Sequence, residues 1–208
     1  MSEFLLSPFI PHEPIMIWVF LVLSAYLIGS IPFGVFIAKL GKVGDIRKQG
    51  SGNIGATNML RVGGKKLAFI TLILDGLKGA VPVIIAKSTM PEAAALCGLI
   101  AAAAHMFPVW LGFKGGKGVA SFLGVMLALS LPAGLITALA WLVFAFTFRY
   151  SSLSALAASV LAPFIYYFVT GDNAIAPLVV LVLLVWWRHR ANIQRLINKT
   201  EPRIGQKA

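Results

Sequence analysis

Two glycine-rich segments carry the residues of this sequence that could do chemistry. The first runs Gly50-Ser51-Gly52-Asn53-Ile54-Gly55-Ala56-Thr57-Asn58 and is followed by Arg61. The second is Phe113-Lys114-Gly115-Gly116-Lys117-Gly118. Each combines bare backbone N–H groups, small polar side chains and positive charge, the ingredients of a site for a phosphate or another oxyanion. Both lie at the ends of apolar runs, which points to an anion handled at a membrane surface.

Neither segment is a nucleotide motif. Gly50 to Gly55 fits G-x-G-x-x-G, but a dinucleotide fold needs a strand before it and a βαβ unit around it. Here the charged stretch Lys42 to Gln49 precedes it. Lys114 to Gly118 is not a Walker A loop, because Gly118 stands where Ser or Thr would hold Mg²⁺. It remains a loop able to bind phosphate without a metal. His189 lies between Arg188 and Arg190, three residues before Asn192. On a helix that spacing puts His189 and Asn192 on one face, as donors to one ligand.

Other polar groups read as structural or solitary. His105, in a near-apolar run before Phe107-Pro108, reads as a packed helix-end histidine. Asp75 and Lys78, three residues apart inside an apolar run, read as an internal pair holding the bundle. Asp45 and Glu201 are isolated carboxylates, and no G-x-S-x-G elbow occurs. Cys97 is the lone cysteine, so no disulfide within the chain and no CxxC metal site is possible. With no evident general base or metal site, the chemistry must start from an already activated substrate.

The elements that must position these residues are membrane helices. The chain has 208 residues, 59% hydrophobic and 12% charged, with a mean hydropathy of +0.88. Soluble domains are about 45–50% apolar and about 25% charged. The composition therefore predicts an all-α integral membrane protein, one helical bundle spanning 1–208 as a single membrane domain. A net charge of +11 would suit nucleic acid. The charges, however, cluster at the ends of apolar runs, as juxtamembrane charges do, so the expected partner is the lipid bilayer and not nucleic acid. Nothing in the pattern indicates an oligomeric state.

Apolar runs fall at roughly 15–39, 67–87, 93–112, 119–148, 153–170 and 174–187. The first lacks a basic n-region before it and is too long for a signal h-region, so it reads as a retained span, with 1–14 as an extracytoplasmic segment. The run 119–148 is long for one span and short for two, and contains Leu131-Pro132, where a helix breaks or kinks. Reading it as a hairpin of two short helices gives seven transmembrane helices. The alternative is five long spans with a re-entrant end, which strands Arg149 outside. Seven spans place 40–66, with Lys39 at its edge, 112–118, 149–152 and 188–208 on one side, with every Lys and Arg except Lys78 and Lys87. By the positive-inside rule that side is cytoplasmic, the N-terminus outside and the C-terminus inside. The Gly-rich loop 40–66, the KGGKG loop 112–118, the segment Arg149-Tyr150-Ser151-Ser152 and the basic tail 188–208 can then build one site on the cytoplasmic face.

In this order the motifs resemble those of the bacterial acyl-phosphate-dependent glycerol-3-phosphate acyltransferases. The matching segments are Gly29 to Gly34, Gly50 to Asn58 with Arg61, Leu74 to Gly79, His105 to Pro108 running into Phe113 to Gly118, Ser151 to Leu153, and His189 to Ile193. The likeness covers Ile15 to Glu201. It implies a multi-spanning protein of the bacterial inner membrane with its motifs facing the cytoplasm. It implies transfer of a fatty acyl group from acyl phosphate to glycerol 3-phosphate, giving lysophosphatidate and phosphate, without a metal or cofactor. By that resemblance Ser51, Arg61, His189 and Asn192 hold glycerol 3-phosphate, joined by Lys117 or Lys114 and with Ser152 close by. Gly115, Gly116 and Gly118, with Asn53, Thr57 and Asn58, cradle the acyl phosphate. A transporter of a phosphate-bearing anion is the rival reading, and a lipid-binding scaffold a further one.

Overall fold

The computed structural model describes residues 15–173 and 175–206, and every regular element among them is helical. In hydrocarbon each backbone N–H and C=O must find its partner within the segment, so apolar runs of this length form helices. The α-helices are α1 (Ile15–Gly29), α2 (Phe33–Leu40), α3 (Ala56–Val62), α4 (Gly64–Thr89), α5 (Ala94–Met106), α6 (Val119–Leu129), α7 (Leu131–Phe148), α8 (Ser151–Thr170), α9 (Ala176–Arg188) and α10 (Arg190–Ile197).

Five stretches are long and apolar enough to cross a membrane: Ile15–Leu40, Gly64–Thr89, Pro91–Leu111, Leu131–Phe148 and Ser151–Thr170. α6 and α9 are apolar but shorter. The 11 residues of α6 reach only about 16 Å at 1.5 Å per residue, against a hydrocarbon core of about 30 Å. The run 119–148 divides where the proline lies. Ser130 ends α6, and its Oγ accepts the Ala133 N–H. Pro132 then falls in the first turn of α7, where its missing N–H costs nothing. A Cβ on Gly134 would collide with Leu127, so α6 and α7 fold closely back on one another.

The first span is broken between α1 and α2 at Ser30 to Pro32. Lys78 Nζ donates to the Ile31 carbonyl at 2.7 Å, supplying a donor where the proline interrupts the helix ladder. α4 is the spine, with α1, α5 and α6 against it. α6 meets α4 backbone to backbone: a Cβ on Gly79 would collide with Ser121 O, and one on Gly124 with Gly76 O. Small residues permit such an approach. Ser121 Oγ also donates to the Asp75 carbonyl at 2.8 Å. The first turn of α6 therefore lies beside the middle of α4, and the loop 112–118, exposed at Gly112 to Lys114, enters the bundle at Gly116 to Gly118. Irregular backbone at that depth is tolerated because protein covers it.

The main core holds Leu21, Ala25, Val83, Met106, Phe122, Met126, Leu181 and Val185. A smaller one of Ile37, Ile46, Ile54 and Met59 folds the Gly-rich segment against α2 and α4. The loop 40–66 and the tail 188–208 are more ordered than those names imply. The segment 40–66 contains a single 3₁₀ turn at Ile46–Lys48, the helix α3 and the start of α4. Over its described residues, 188–206, the C-terminal segment is not a tail: it forms α10, buries Glu201 and returns to pair Ile204 N–H with Arg149 O at 2.6 Å. The first is anchored by a few apolar residues against the flanking helices, and the second finds its partners, Ser152 and Arg149, far back in the chain. The segment 1–14 lies outside the described residues.

Candidate active site

The Gly-rich segment is shaped by one side chain. Asn58, 1% exposed, accepts the Ser51 N–H at 2.9 Å on Oδ1. Its Nδ2 faces the carbonyls of Asn53 at 2.9 Å, Gln49 at 3.0 Å and Ile46 at 3.3 Å. Its amide is fully engaged, so Asn58 fixes the loop rather than offering donors to a ligand. Asn53 contributes a carbonyl to the same knot. Ser51 is left exposed at the loop's crest, and Arg61 projects from the end of α3. Among the described residues Arg61 makes no hydrogen bond or ion pair. Thr57 Oγ1 lies 3.1 Å from Ser151 Oγ, which joins this segment to the start of α8.

The KGGKG loop departs from its expected role in part. The Gly115 and Gly116 N–H groups do not face outward. They donate to Met106 O and His105 O, each at 3.1 Å, which closes the C-terminal end of α5. Arg188 grips the same two glycines from the other side: its Nε and Nη2 donate to Gly116 O at 2.9 Å and Gly115 O at 2.6 Å. Its guanidinium also stacks against the Phe107 and Trp187 rings. The loop is thereby clamped, and its two lysines diverge. Lys114 is exposed and Lys117 half-buried. Gly118 takes a left-handed φ of 79° as it turns into α6, so Lys117 stands beside the N-terminus of that helix. The first-turn N–H groups of a helix lack partners within it.

Glu201 is the residue the sequence reading undervalued. It is only 8% exposed and accepts from Ser152 Oγ at 2.7 Å, Asn192 Nδ2 at 2.6 Å and Arg195 Nε at 2.7 Å. Burial alone would raise this carboxyl, but those three hydrogen bonds outweigh it and hold the group below the usual carboxylate range. The start of α8, α10 and the segment after α10 are thus tied at one carboxylate. A glutamate twelve residues beyond the His189 motif leaves no periodicity to find it by; only the return of the chain brings it in.

Charge assembles around this knot. Burial, with Arg195, Arg61 and Arg188 adding to it and Glu201 opposing, pushes the Lys117 ammonium down to about 8. His189 is 2% exposed, and its Nδ1 lies 2.8 Å from Val185 O. Burial outweighs that bond and, with Lys117 and Arg188 nearby, brings the imidazole down to about 4. The ring is therefore neutral at pH 7. With Nδ1–H donating to the carbonyl, Nε2 is a bare acceptor. Asn192 Nδ2 donates one hydrogen bond to Glu201, while its buried Oδ1 has no hydrogen-bond partner. His189 and Asn192 thus present acceptors, where the sequence suggested donors. Arg61, Lys117 and Arg188 present the cations.

An all-helical membrane bundle with cations, an exposed serine and two unpaired acceptors gathered at one end defines an integral membrane protein that handles an anion bearing hydroxyl groups. The family model described as glycerol-3-phosphate acyltransferase matches residues 19–199, and the chain belongs to that family. Glycerol-3-phosphate acyltransferase of Mesorhizobium japonicum is 53% identical over 182 residues, covering 88% of this chain and 93% of the relative. That of Sinorhizobium medicae is 54% identical over 183 residues, covering 88% and 90%. Among solved structures, the glycerol 3-phosphate form of PlsY (YgiH), an integral membrane glycerol 3-phosphate acyltransferase, superposes with a TM-score of 0.85 at 44% identity, covering 90% of this chain and 95% of that one. Its lysophosphatidic acid form superposes with a TM-score of 0.81 at 42% identity.

Proposed function

We propose that this enzyme transfers a fatty acyl group from acyl phosphate to the sn-1 hydroxyl of glycerol 3-phosphate. The products are lysophosphatidate and inorganic phosphate, in the first step of phospholipid synthesis. The observation that carries this reading is the half-buried Lys117 ammonium with Arg61, Arg188, Arg195, His189 and Glu201 close about it, Ser152 and Asn192 being bonded to that same Glu201, within a chain of this family. Two phosphates must be brought together, and several cations offset their repulsion. Ser51, Arg61 and Lys117 hold the phosphate of glycerol 3-phosphate, and its hydroxyls donate to His189 Nε2 and Asn192 Oδ1. The acyl phosphate lies by the α6 N-terminus at Gly118, with its alkyl chain in lipid; Lys114, Asn53 and Thr57 line the approach.

The hydroxyl oxygen attacks the acyl carbonyl carbon, the bond from that carbon to the phosphate oxygen breaks, and the hydroxyl proton passes to a phosphate oxygen. His189, buried and brought down to about 4, serves as a hydrogen-bond acceptor in this scheme. Acyl phosphate is a mixed anhydride with a good leaving group, so neither a metal nor a cofactor is called for. Alignment of the two reactants removes about 7–11 kcal/mol of barrier in favourable cases. Fixed donors stabilise the developing oxyanion. We place the protein in the bacterial inner membrane with seven helices, α6 and α7 forming a hairpin, the N-terminus outside, and the site and C-terminus cytoplasmic. The support is the basic bias of the loops.

The test uses purified protein in detergent with chelator, palmitoyl phosphate and labelled glycerol 3-phosphate. Matched formation of lysophosphatidate and phosphate, lost in Arg61→Ala, is expected. No product from folded protein removes the reading and leaves transport of a phosphate-bearing anion, measured as flux across vesicles, in first place.

A further inference from the structure

Beneath the site a second polar cluster lies wholly inside the bundle, and the reaction makes no direct use of it. Asp75, Lys78 and His105 are 1%, 2% and 3% exposed. Asp75 Oδ1 pairs with Lys78 Nζ at 2.6 Å and stands 3.5 Å from His105 Nδ1. A buried ion pair is weak evidence for stability, because desolvation consumes much of the attraction. Ionisable groups at membrane depth are expensive and carry a role.

Its surroundings name that role. His105 O accepts the Gly116 N–H. A Cβ added to Gly116 would collide with His105 Nε2 and lie 3.0 and 3.1 Å from ring atoms Cε1 and Cδ2. The imidazole is therefore the floor on which Gly116 lies, one residue before Lys117. Arg188 closes the loop from the opposite side through Gly115 O and Gly116 O. Below, Lys78 ties the cluster to Ile31 O at the break in the first span. A continuous set of contacts thus runs from the α1–α2 break to the loop.

We infer that His105, oriented by Asp75 and Lys78, is a positioning residue that sets the depth of the Gly115–Lys117 loop and so the reach of Lys117 into the site. The inference rests on the reading that Lys117 serves the acyl transfer. It explains why the residue at 116 is glycine although its φ is not in the left-handed region: the demand comes from the ring beneath it. Because His105 acts through the loop, its removal should weaken hold on glycerol 3-phosphate more than it slows the bound complex.

The test is a double-mutant cycle in full-length, detergent-purified protein, reading KM for glycerol 3-phosphate and kcat separately. Gly116→Ala should raise KM about tenfold or more, since a displacement near 1 Å can cost about a hundredfold. His105→Ala should raise it by a smaller factor. In the double variant the methyl enters the space left by the ring, so KM should fall below that of Gly116→Ala by about fivefold or more. Asp75→Asn, folded by size-exclusion and thermal criteria, should raise KM as His105→Ala does. Independent effects that simply multiply in the double variant overturn the inference, and so does wild-type KM in His105→Ala. The cycle decides even where Asp75→Asn does not fold. Wild-type protein without turnover would instead remove the functional reading itself.

Discussion

Raising the pH should weaken the site through one group, Lys117. Burial, with Arg61, Arg188 and Arg195 adding and Glu201 opposing, brings its ammonium down to about 8. At pH 7 about nine-tenths of the enzyme then carries the charge, and at pH 9 about one-tenth. If that charge holds the phosphate of glycerol 3-phosphate, kcat/KM should fall about tenfold per unit well above pH 8. Lys117→Arg keeps its charge across the whole range, because a guanidinium does not titrate there. Its profile should be flat to about pH 9.5, whatever its absolute activity. Bound phosphate favours the ammonium, so binding near pH 8 should take up protons. Titration calorimetry in two buffers of different ionisation enthalpy reads that uptake. Unfolding through this group is separable by sign. The folded pKa lies below the ordinary value of 10.5, so between about 8 and 10.5 the unfolded chain holds the proton and the folded one does not. The Lys117 contribution to stability therefore rises with pH in that window. A wild-type profile flat to pH 9.5, or the same limb in Lys117→Arg, refutes the reasoning.

Three further outcomes follow from the same geometry. Glu201→Gln removes a buried charge that accepts from Ser152, Asn192 and Arg195, and should cost about 2–4 kcal/mol, discounted because Arg195 is partly exposed. Its folded pKa is depressed, so thermal melts should show the loss above the ordinary glutamate pKa and its disappearance as pH falls through the folded value. Arg188→Lys cannot reach both Gly115 O and Gly116 O in the manner of a guanidinium, and kcat/KM should drop about tenfold or more; unchanged kinetics would dissolve the clamp. In a Cys97→Ala background, Glu92→Cys should react with an impermeant maleimide from outside spheroplasts and Lys48→Cys only after lysis. The reverse pattern would invert the topology.

What the sequence determined on its own was whatever depends on neighbours in the chain. Apolar runs dictated helices, because hydrocarbon offers the backbone no other partner. Leu131-Pro132 marked the break between α6 and α7, since proline restricts the chain locally. The glycine-rich and basic segments announced an anion site by composition, and their common order revealed the family. Tertiary structure decided which groups remain available. Asn58 reads as a donor to a ligand until three carbonyls and the Ser51 N–H are seen to occupy it. The Gly115 and Gly116 N–H groups look bare until α5 ends against them. His189 reads as a donor until burial neutralises it and Val185 O fixes the tautomer. Glu201 looks solitary until the chain returns and three donors meet it. A side chain's type is local, but its desolvation and its hydrogen-bond partners belong to the packed whole, and those decide whether it faces a substrate or holds the site in shape.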